Sequence, residues 1–442
     1  AGEWRFRPGD DPDWAAPDYD DSGWAGMQVP GRWPAAGFPA SGQMAWYRLE
    51  VQLDAAAREE LDLLHQLGVR LGKVLSAYEI YAGGQLLGGA GRLPPVGEVD
   101  YDRKQVYQLP HSAFGEDGRL VLALRVWGGE RASMEAWSGG PISGEFSLGN
   151  FPDLLFGGIV GELPGLIFSV LFIAFGIYHM YLYARNRQMN AYLWFGLIAL
   201  SIGVYGLMLT QWKYLLGFSF LALKKIEFGL IYLFPALALQ GIWTLLDRPI
   251  GPLLRSYQVG FVVAALLVVV IPGHTVHYLT LHAFQVCVLP ALFLTPWVVF
   301  REARAGNGEA RTLFIGLLVF VGACINDLLI DFAHLQTERM LAFGFIAIML
   351  AMAVSLANRF TTMFNSLEDE VARQTAQLSE ANRQLARAAQ IDHLTGLLNR
   401  RGFSEEAEME ISREYRSGRS FTLVLADVDN FKQFNDRHGH AC

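Results

Sequence analysis

Seven apolar runs, each long enough to cross a membrane, set the terms for everything else in this chain. A hydrocarbon core about 30 Å thick takes roughly 20 residues of helix. Runs of that order fall at 163–183, 191–210, 226–245, 258–271, 278–300, 313–332 and 341–358. In lipid a spanning segment must satisfy its own backbone polar groups, so each run reads as a helix. The fourth is cut short by Pro272. Charged residues crowd the stretches before and after these runs, so the 52% hydrophobic content of the 442 residues is unevenly spread.

Lys and Arg in the short loops set the expected orientation. One side carries Arg185, Arg187, Arg248, Arg255, Arg301, Arg304, Arg311 and Arg359; the other carries Lys213, Lys224, Lys225 and Arg339. Eight against four places the first side in the cytoplasm. The expectation is therefore a multi-pass protein of a bacterial inner membrane, its N-terminal region extracytoplasmic and its C-terminal segment cytoplasmic. The chain opens at Ala1 without Met, which agrees with an export signal already removed. Cys287 and Cys324 lie in apolar runs and Cys442 at the end, so the N-terminal region has no disulfide framework. A net charge of −8 argues against nucleic acid as a partner.

Polar residues within the spans divide into two readings. Asp327, Asp331 and His334 stand at i, i+4 and i+7 on one helix face, beside Asn326. A carboxylate in lipid is costly, so the face should point into the bundle or towards its outer mouth. It is either a proton-sensitive or ligand-coupled element or a polar stripe paired with backbone and water. Glu227 near Lys224 reads as an interfacial ion pair, and His179 and His282 as packing residues.

The stretch 1–148 is expected to be β-rich. Alternating segments at 45–53, 68–75, 77–82, 105–109, 120–126 and 143–148 are separated by turn clusters at Gly83-Gly84, Gly88-Gly89 and 115–118. Short strands with Gly-rich turns suggest a sandwich or jelly roll. Asp20-Asp-Ser-Gly-Trp24, Val29-Pro30, Trp46-Tyr-Arg48 and the run from Ala77 to Gly84 resemble the galactose-binding-like jelly roll at the front of β-galactosidase-type hydrolases. The resemblance implies a carbohydrate or other small ligand, with exposed rings such as Trp33 or Trp137 stacking on a sugar. Trp4, Trp24, Trp46 and Trp127 read instead as core. No acid pair suited to glycoside hydrolysis is identifiable.

From 359 to 391 the chain is charged and free of Gly and Pro. Phe364, Leu367, Val371, Gln374, Leu378, Ala381, Leu385 and Ala388 keep 3-4 spacing, a heptad seam with small or polar d positions. This predicts a marginal dimeric coiled coil; a lone amphipathic helix is the alternative.

Last come Asp392-His-Leu-Thr-Gly-Leu-Leu-Asn-Arg-Arg401, the apolar run 421–426, and Asp427-Val-Asp-Asn-Phe-Lys-Gln-Phe-Asn-Asp436. The apolar run is expected to be a buried central strand. These motifs resemble the opening of a GGDEF domain, the module of diguanylate cyclases, over 392–442. The resemblance implies Mg²⁺, with Mn²⁺ as the alternative, bound by Asp427 and the Val428 carbonyl. It also implies phosphate contacts from Asn430, Phe431 and Lys432, and a guanine reader at Asn435. The Gly-Gly-Asp/Glu-Glu-Phe signature of the family is absent up to Cys442, so a partial α/β domain that is inactive alone is expected.

The whole resembles a receptor of the 7TM diverse intracellular signalling type. The expected fold is a multidomain membrane protein: jelly roll (1–148), seven-helix transmembrane bundle (160–358), coiled-coil connector (359–391) and partial GGDEF domain (392–442). The expected function is a membrane-bound sensory cyclase that converts two GTP to cyclic di-GMP as a homodimer, in contact with membrane lipid. A non-catalytic receptor whose output segment only dimerises or binds a partner competes with it. A transporter is disfavoured, because the spans show no repeated halves.

Overall fold

A computed structural model describes the chain except residues 1, 35–36, 39–41, 55–65, 130–138, 274, 334–338, 419, 421 and 440–442. It divides into two compact units, Ala1–Asn358 and Arg359–Cys442.

The first unit opens with strands β1 (Gly2–Pro8), β2 (Ala25–Val29), β3 (Met44–Gln52), β4 (Leu67–Leu71), β5 (Lys73–Leu75), β6 (Ala77–Ala82), β7 (Gln85–Ala90), β8 (Gln105–Gln108), β9 (Arg119–Trp127), β10 (Gly140–Ser143) and β11 (Ser147–Asn150). The largest sheet runs β2-β1-β3-β9-β6-β7; β11-β4-β8 and β10-β5 form two smaller ones. Side chains alternate across a strand, and β3 shows why the large sheet is apolar on both faces. Tyr47 joins a core shared with Val69, Leu71 and Val74 of the smaller sheets. Trp46 points the other way into a cluster with Trp14, Trp24 and Ala123. Beside that cluster Arg48 is 1% exposed. Its Nε meets Asp21 at 2.9 Å, and its Nη1 donates to the carbonyls of Trp14 and Ala16.

Several expectations need correction. Gly88 and Gly89 lie inside β7 rather than in a turn. A Cβ on Gly88 would sit 2.7 Å from the Tyr107 ring, and one on Gly89 would strike the Tyr78 carbonyl, so glycine here serves close approach. The segment 68–75 breaks into β4 and β5, and 143–148 is divided between β10 and β11. Trp33 is buried, and its Nε1 donates to the Tyr47 hydroxyl, so it cannot stack on a sugar. Trp137 lies outside the described residues. Trp4, Trp24, Trp46 and Trp127 are buried as expected.

Seven helices follow: α1 (Phe151–Arg185), α2 (Asn190–Leu209), α3 (Phe220–Leu245), α4 (Pro252–Val270), α5 (Thr275–Arg304), α6 (Gly308–Ala333) and α7 (Leu341–Ala388). Each contains a stretch long and apolar enough to cross a membrane. At about 1.5 Å per residue α1 is far longer than the hydrocarbon core. Its first turns pack on β4, β8 and β11, where Gly68 lets the Phe151 ring approach the strand. Helices α1 and α2 meet along small residues: a Cβ on Gly176 would lie 2.8 Å from the Leu200 nitrogen, and one on Gly203 2.9 Å from the Ser169 carbonyl. Such seams let transmembrane backbones close together. The bundle core joins Phe195 and Ile202, Leu239, Leu313 and Leu317, and Ile348 and Met352.

The second unit holds the rest of α7, then α8 (Arg400–Ser417) and α9 (Phe431–His438). Phe364, Val371, Leu378 and Leu385 are all exposed along α7. The expected strand at 421–426 is not formed among the described residues: 422–428 belong to no regular element and are exposed. A strand needs a neighbour to take its backbone hydrogen bonds, and none is present among the described residues of this unit.

Candidate functional site

In the second unit the Asp392 motif builds a turn between α7 and α8. The Asp392 carboxylate accepts from the Leu394 and Thr395 amides at 3.1 and 3.0 Å and from the Thr395 hydroxyl at 3.0 Å. Hydrogen bonds from the Thr395 amide first, then from its hydroxyl and the Leu394 amide, hold this carboxyl below the ordinary carboxylate range. Gly396 takes φ +70°, which suits glycine. Asn399 caps α8 by accepting from the Gly402 amide at 3.0 Å, while its Nδ2 donates to the Ala389 carbonyl at 2.7 Å. One side chain thus ties the end of α7 to the start of α8.

Residues 427–435 gather the expected nucleotide site in one short stretch. Asp427 is exposed in the irregular segment that precedes α9. The Val428 carbonyl accepts from the Phe431 amide at 3.2 Å, closing a turn. Asn430 sits at φ +55°, a left-handed conformation that Asn tolerates, and α9 starts immediately after it. Phe431 and Lys432 are exposed and Asn435 is half-buried on that helix. The donor type fits Mg²⁺, which commonly takes one or two carboxylates and leaves other positions to substrate phosphates. Among the described residues no cluster of three His, Cys, Asp or Glu converges there or elsewhere. The stretch therefore offers the carboxylates of Asp427 and Asp429, not a closed protein cage.

A second constellation, in the first unit, escaped the sequence reading. Where the β region meets the helices, Asp102 is almost fully buried. Its Oδ1 accepts from Lys73 at 2.9 Å and its Oδ2 from Lys213 at 2.9 Å, and Lys224 of α3 pairs with the same carboxylate. Burial alone would raise the Asp102 carboxyl. Lys224, Lys73 and Lys213 outweigh it and hold the group well below the usual range. Lys224 also meets Glu227 at 2.8 Å, the expected ion pair. Asp100 accepts from the Tyr214 hydroxyl and from Arg103, both at 2.8 Å. Gln211 donates to the Asp102 carbonyl and, through its backbone amide, to Glu162 of α1, which also binds Lys104. Sequence spacing could not reveal this seam, since its members come from β5, the 99–104 loop, α1, α3 and the short helix Gln211–Leu216. Lys213 had registered only as a loop charge, and Lys224 only as a loop charge and the partner of Glu227.

Of the expected intramembrane face, Asp327 is buried and accepts from the Met340 amide at 2.8 Å and Asn326 at 3.1 Å. The side chains of Asp331 and His334 lie outside the described residues. His179 is a packing residue: its Nδ1 meets the Phe175 carbonyl at 2.8 Å and its ring lies 4.3 Å from Phe195. His282 sits on an exposed face of α5.

Comparison with known proteins adds three findings. Residues 163–359 match the family model described as 7TM diverse intracellular signalling, and residues 389–442 match that described as diguanylate cyclase, GGDEF domain. Diguanylate cyclase DgcS of Shewanella oneidensis is 39% identical over 59 residues, covering 13% of this chain and 20% of that protein. Diguanylate cyclase DgcN of Escherichia coli is 39% identical over 84 residues, covering 19% and 20%. The chain thus spans about a fifth of the length of these relatives. Among solved structures, a β-glucuronidase of Bacteroides uniformis aligns with 34% of this chain and 16% of its own, at 21% identity and a TM-score of 0.24. So low a score leaves the β region to be read from its own topology. Along one chain, then, a 7TM diverse intracellular signalling domain is followed by a C-terminal GGDEF domain.

Proposed function

We propose that the protein is a membrane-bound sensory diguanylate cyclase, making cyclic di-GMP from two GTP under the control of a small ligand met on the extracytoplasmic side. The observation that carries this reading is the stretch 427–435: a carboxylate, a left-handed Asn, a Lys and a second Asn arranged around the start of α9. Bound Mg²⁺ would supply charge neutralisation at the α-phosphate, with Asp427 as its carboxylate ligand. The Lys432 ammonium would meet phosphate oxygens. The Asn435 amide offers a donor and an acceptor to a purine edge. Each 3′-hydroxyl attacks the α-phosphate of the other nucleotide, forming a phosphodiester bond, expelling pyrophosphate and releasing its proton. Two half-sites must therefore face each other, and their positioning is part of the rate. The exposed heptad residues of α7 support a homodimer that brings them together. The excess of Arg in one set of loops supports a cytoplasmic cyclase and an extracytoplasmic β region of galactose-binding-like type.

The test is GTP turnover by the full-length protein in lipid nanodiscs with Mg²⁺, read as cyclic di-GMP by mass spectrometry. Asp427→Asn should lower turnover by about a hundredfold or more without loss of membrane insertion. No cyclic di-GMP under any ligand condition would defeat the proposal.

A further inference from the structure

We propose that a cavity beside the Asp102 seam binds a small anionic amphiphile, a carboxylate or phosphate group carried on a short apolar portion. The cavity is about 240 Å³ and lies between β4, β8, the first turns of α1 and the helix Gln211–Leu216. Gly158 of α1 is part of its lining. A Cβ there would find open space, with only the Arg70 Nη2 near, at 3.8 Å. Leu155 and Ile159 of α1 supply an apolar wall.

The polar lining selects an anion. Lys104 and Glu162 neutralise each other at 2.9 Å. Arg70 is the remaining cation of the lining, and its partner Glu145 is largely exposed. An exposed ion pair of that kind is worth little, so the Arg70 guanidinium is open to a better acceptor. Trp212 also lines the cavity. The volume lies just below the usual range for ligand pockets, so the occupant is small.

The position gives the site a consequence. Gln211 lines the cavity and holds the backbone of Lys104 and Asp102, and Glu162, also of the lining, accepts from the Gln211 amide. An occupant therefore bears on the same hydrogen bonds that fasten the β region to the helices.

The test uses the full-length protein in phosphatidylcholine nanodiscs, titrated calorimetrically with octanoate, octyl phosphate and, as a neutral control, octanol. Expected is saturable binding of one anion per chain, no saturable binding of octanol, and affinity at least tenfold weaker in Arg70→Gln and in Gly158→Leu. The Leu fills the cavity while favouring the helix, and Arg70→Gln keeps the test meaningful if that variant misfolds. Repeating the titration in nanodiscs containing phosphatidylglycerol separates the sources. Suppressed octanoate binding assigns the site to a lipid headgroup, and unchanged binding assigns it to a soluble ligand. Equal affinity in wild type and both variants, or no saturable binding of either anion, would overturn the proposal. The readout is binding, so it stands apart from whether the C-terminal unit cyclises GTP.

Discussion

Asp102→Asn should loosen the β region from the helices without unfolding either. The substitution keeps the shape of the side chain and removes its charge. Three lysines then lose their shared partner, but unequally. Lys73 is about a third exposed and can rehydrate. Lys224 keeps Glu227 at 2.8 Å. Lys213, with 2% of its side chain exposed, keeps no carboxylate partner at this distance, only the Met208 carbonyl at 2.8 Å and the Tyr214 ring at 5.4 Å among the described residues. Stranding a buried charge costs about 3–5 kcal/mol. With most of that falling on Lys213, about 3 kcal/mol is expected, or more than a hundredfold in the docking equilibrium. Hydrogen exchange reads this directly. Amides in 99–104 and 211–216 should exchange about a hundredfold faster, while β3 and β9 stay protected. Adding Lys213→Met should restore much of the protection, since removing both members of a buried pair is often near neutral. Unchanged exchange at the seam, or equal acceleration in β3 and β9, would refute the reasoning.

The same carboxylate predicts a pH profile. Its folded pKa is depressed, so its contribution is complete above the unfolded value of about 3.9 and is lost as pH falls through the lower folded value. Seam protection should therefore be flat from neutrality to about pH 4 and fall only below it; a decline between pH 7 and 5 would point to another group. Arg48→Lys should cost about 3 kcal/mol or more in thermal unfolding of the β region, because an ammonium cannot reach Asp21 and two buried carbonyls together. Asn399→Ala should cost about 1 kcal/mol at the start of α8, seen as faster exchange of its first-turn amides with β3 and β9 unaffected.

The seven spans were legible because a transmembrane helix satisfies its hydrogen bonds within one segment, so local composition decides it. The strand Ala77–Ala82 was legible for a related reason: its alternation of small or apolar and polar residues survives without knowledge of its neighbours. The glycines of β7 misled, because a close approach to Tyr78 and Tyr107 is a tertiary fact that leaves the same mark as a turn. The run 421–426 has strand composition, but pairing is non-local and no partner strand stands beside it among the described residues. Trp33 looked like a surface ring until its hydrogen bond to Tyr47 placed it in the core. In the C-terminal unit, the Asp392 and Asp427 motifs were readable as contiguous strings. The Asp102 seam was not, since five separate elements contribute to it.

That seam also bears on how the receptor can be rebuilt. Terminal domains are often treated as exchangeable heads, but here the helical part carries Lys213 and Lys224, and the β region carries the acid that answers them. A grafted domain lacking a carboxylate at the equivalent of Asp102 would seal two ammonium groups beneath an apolar face. Swapping heads in this chain therefore means transplanting the 99–104 loop as well, or neutralising both lysines in the recipient.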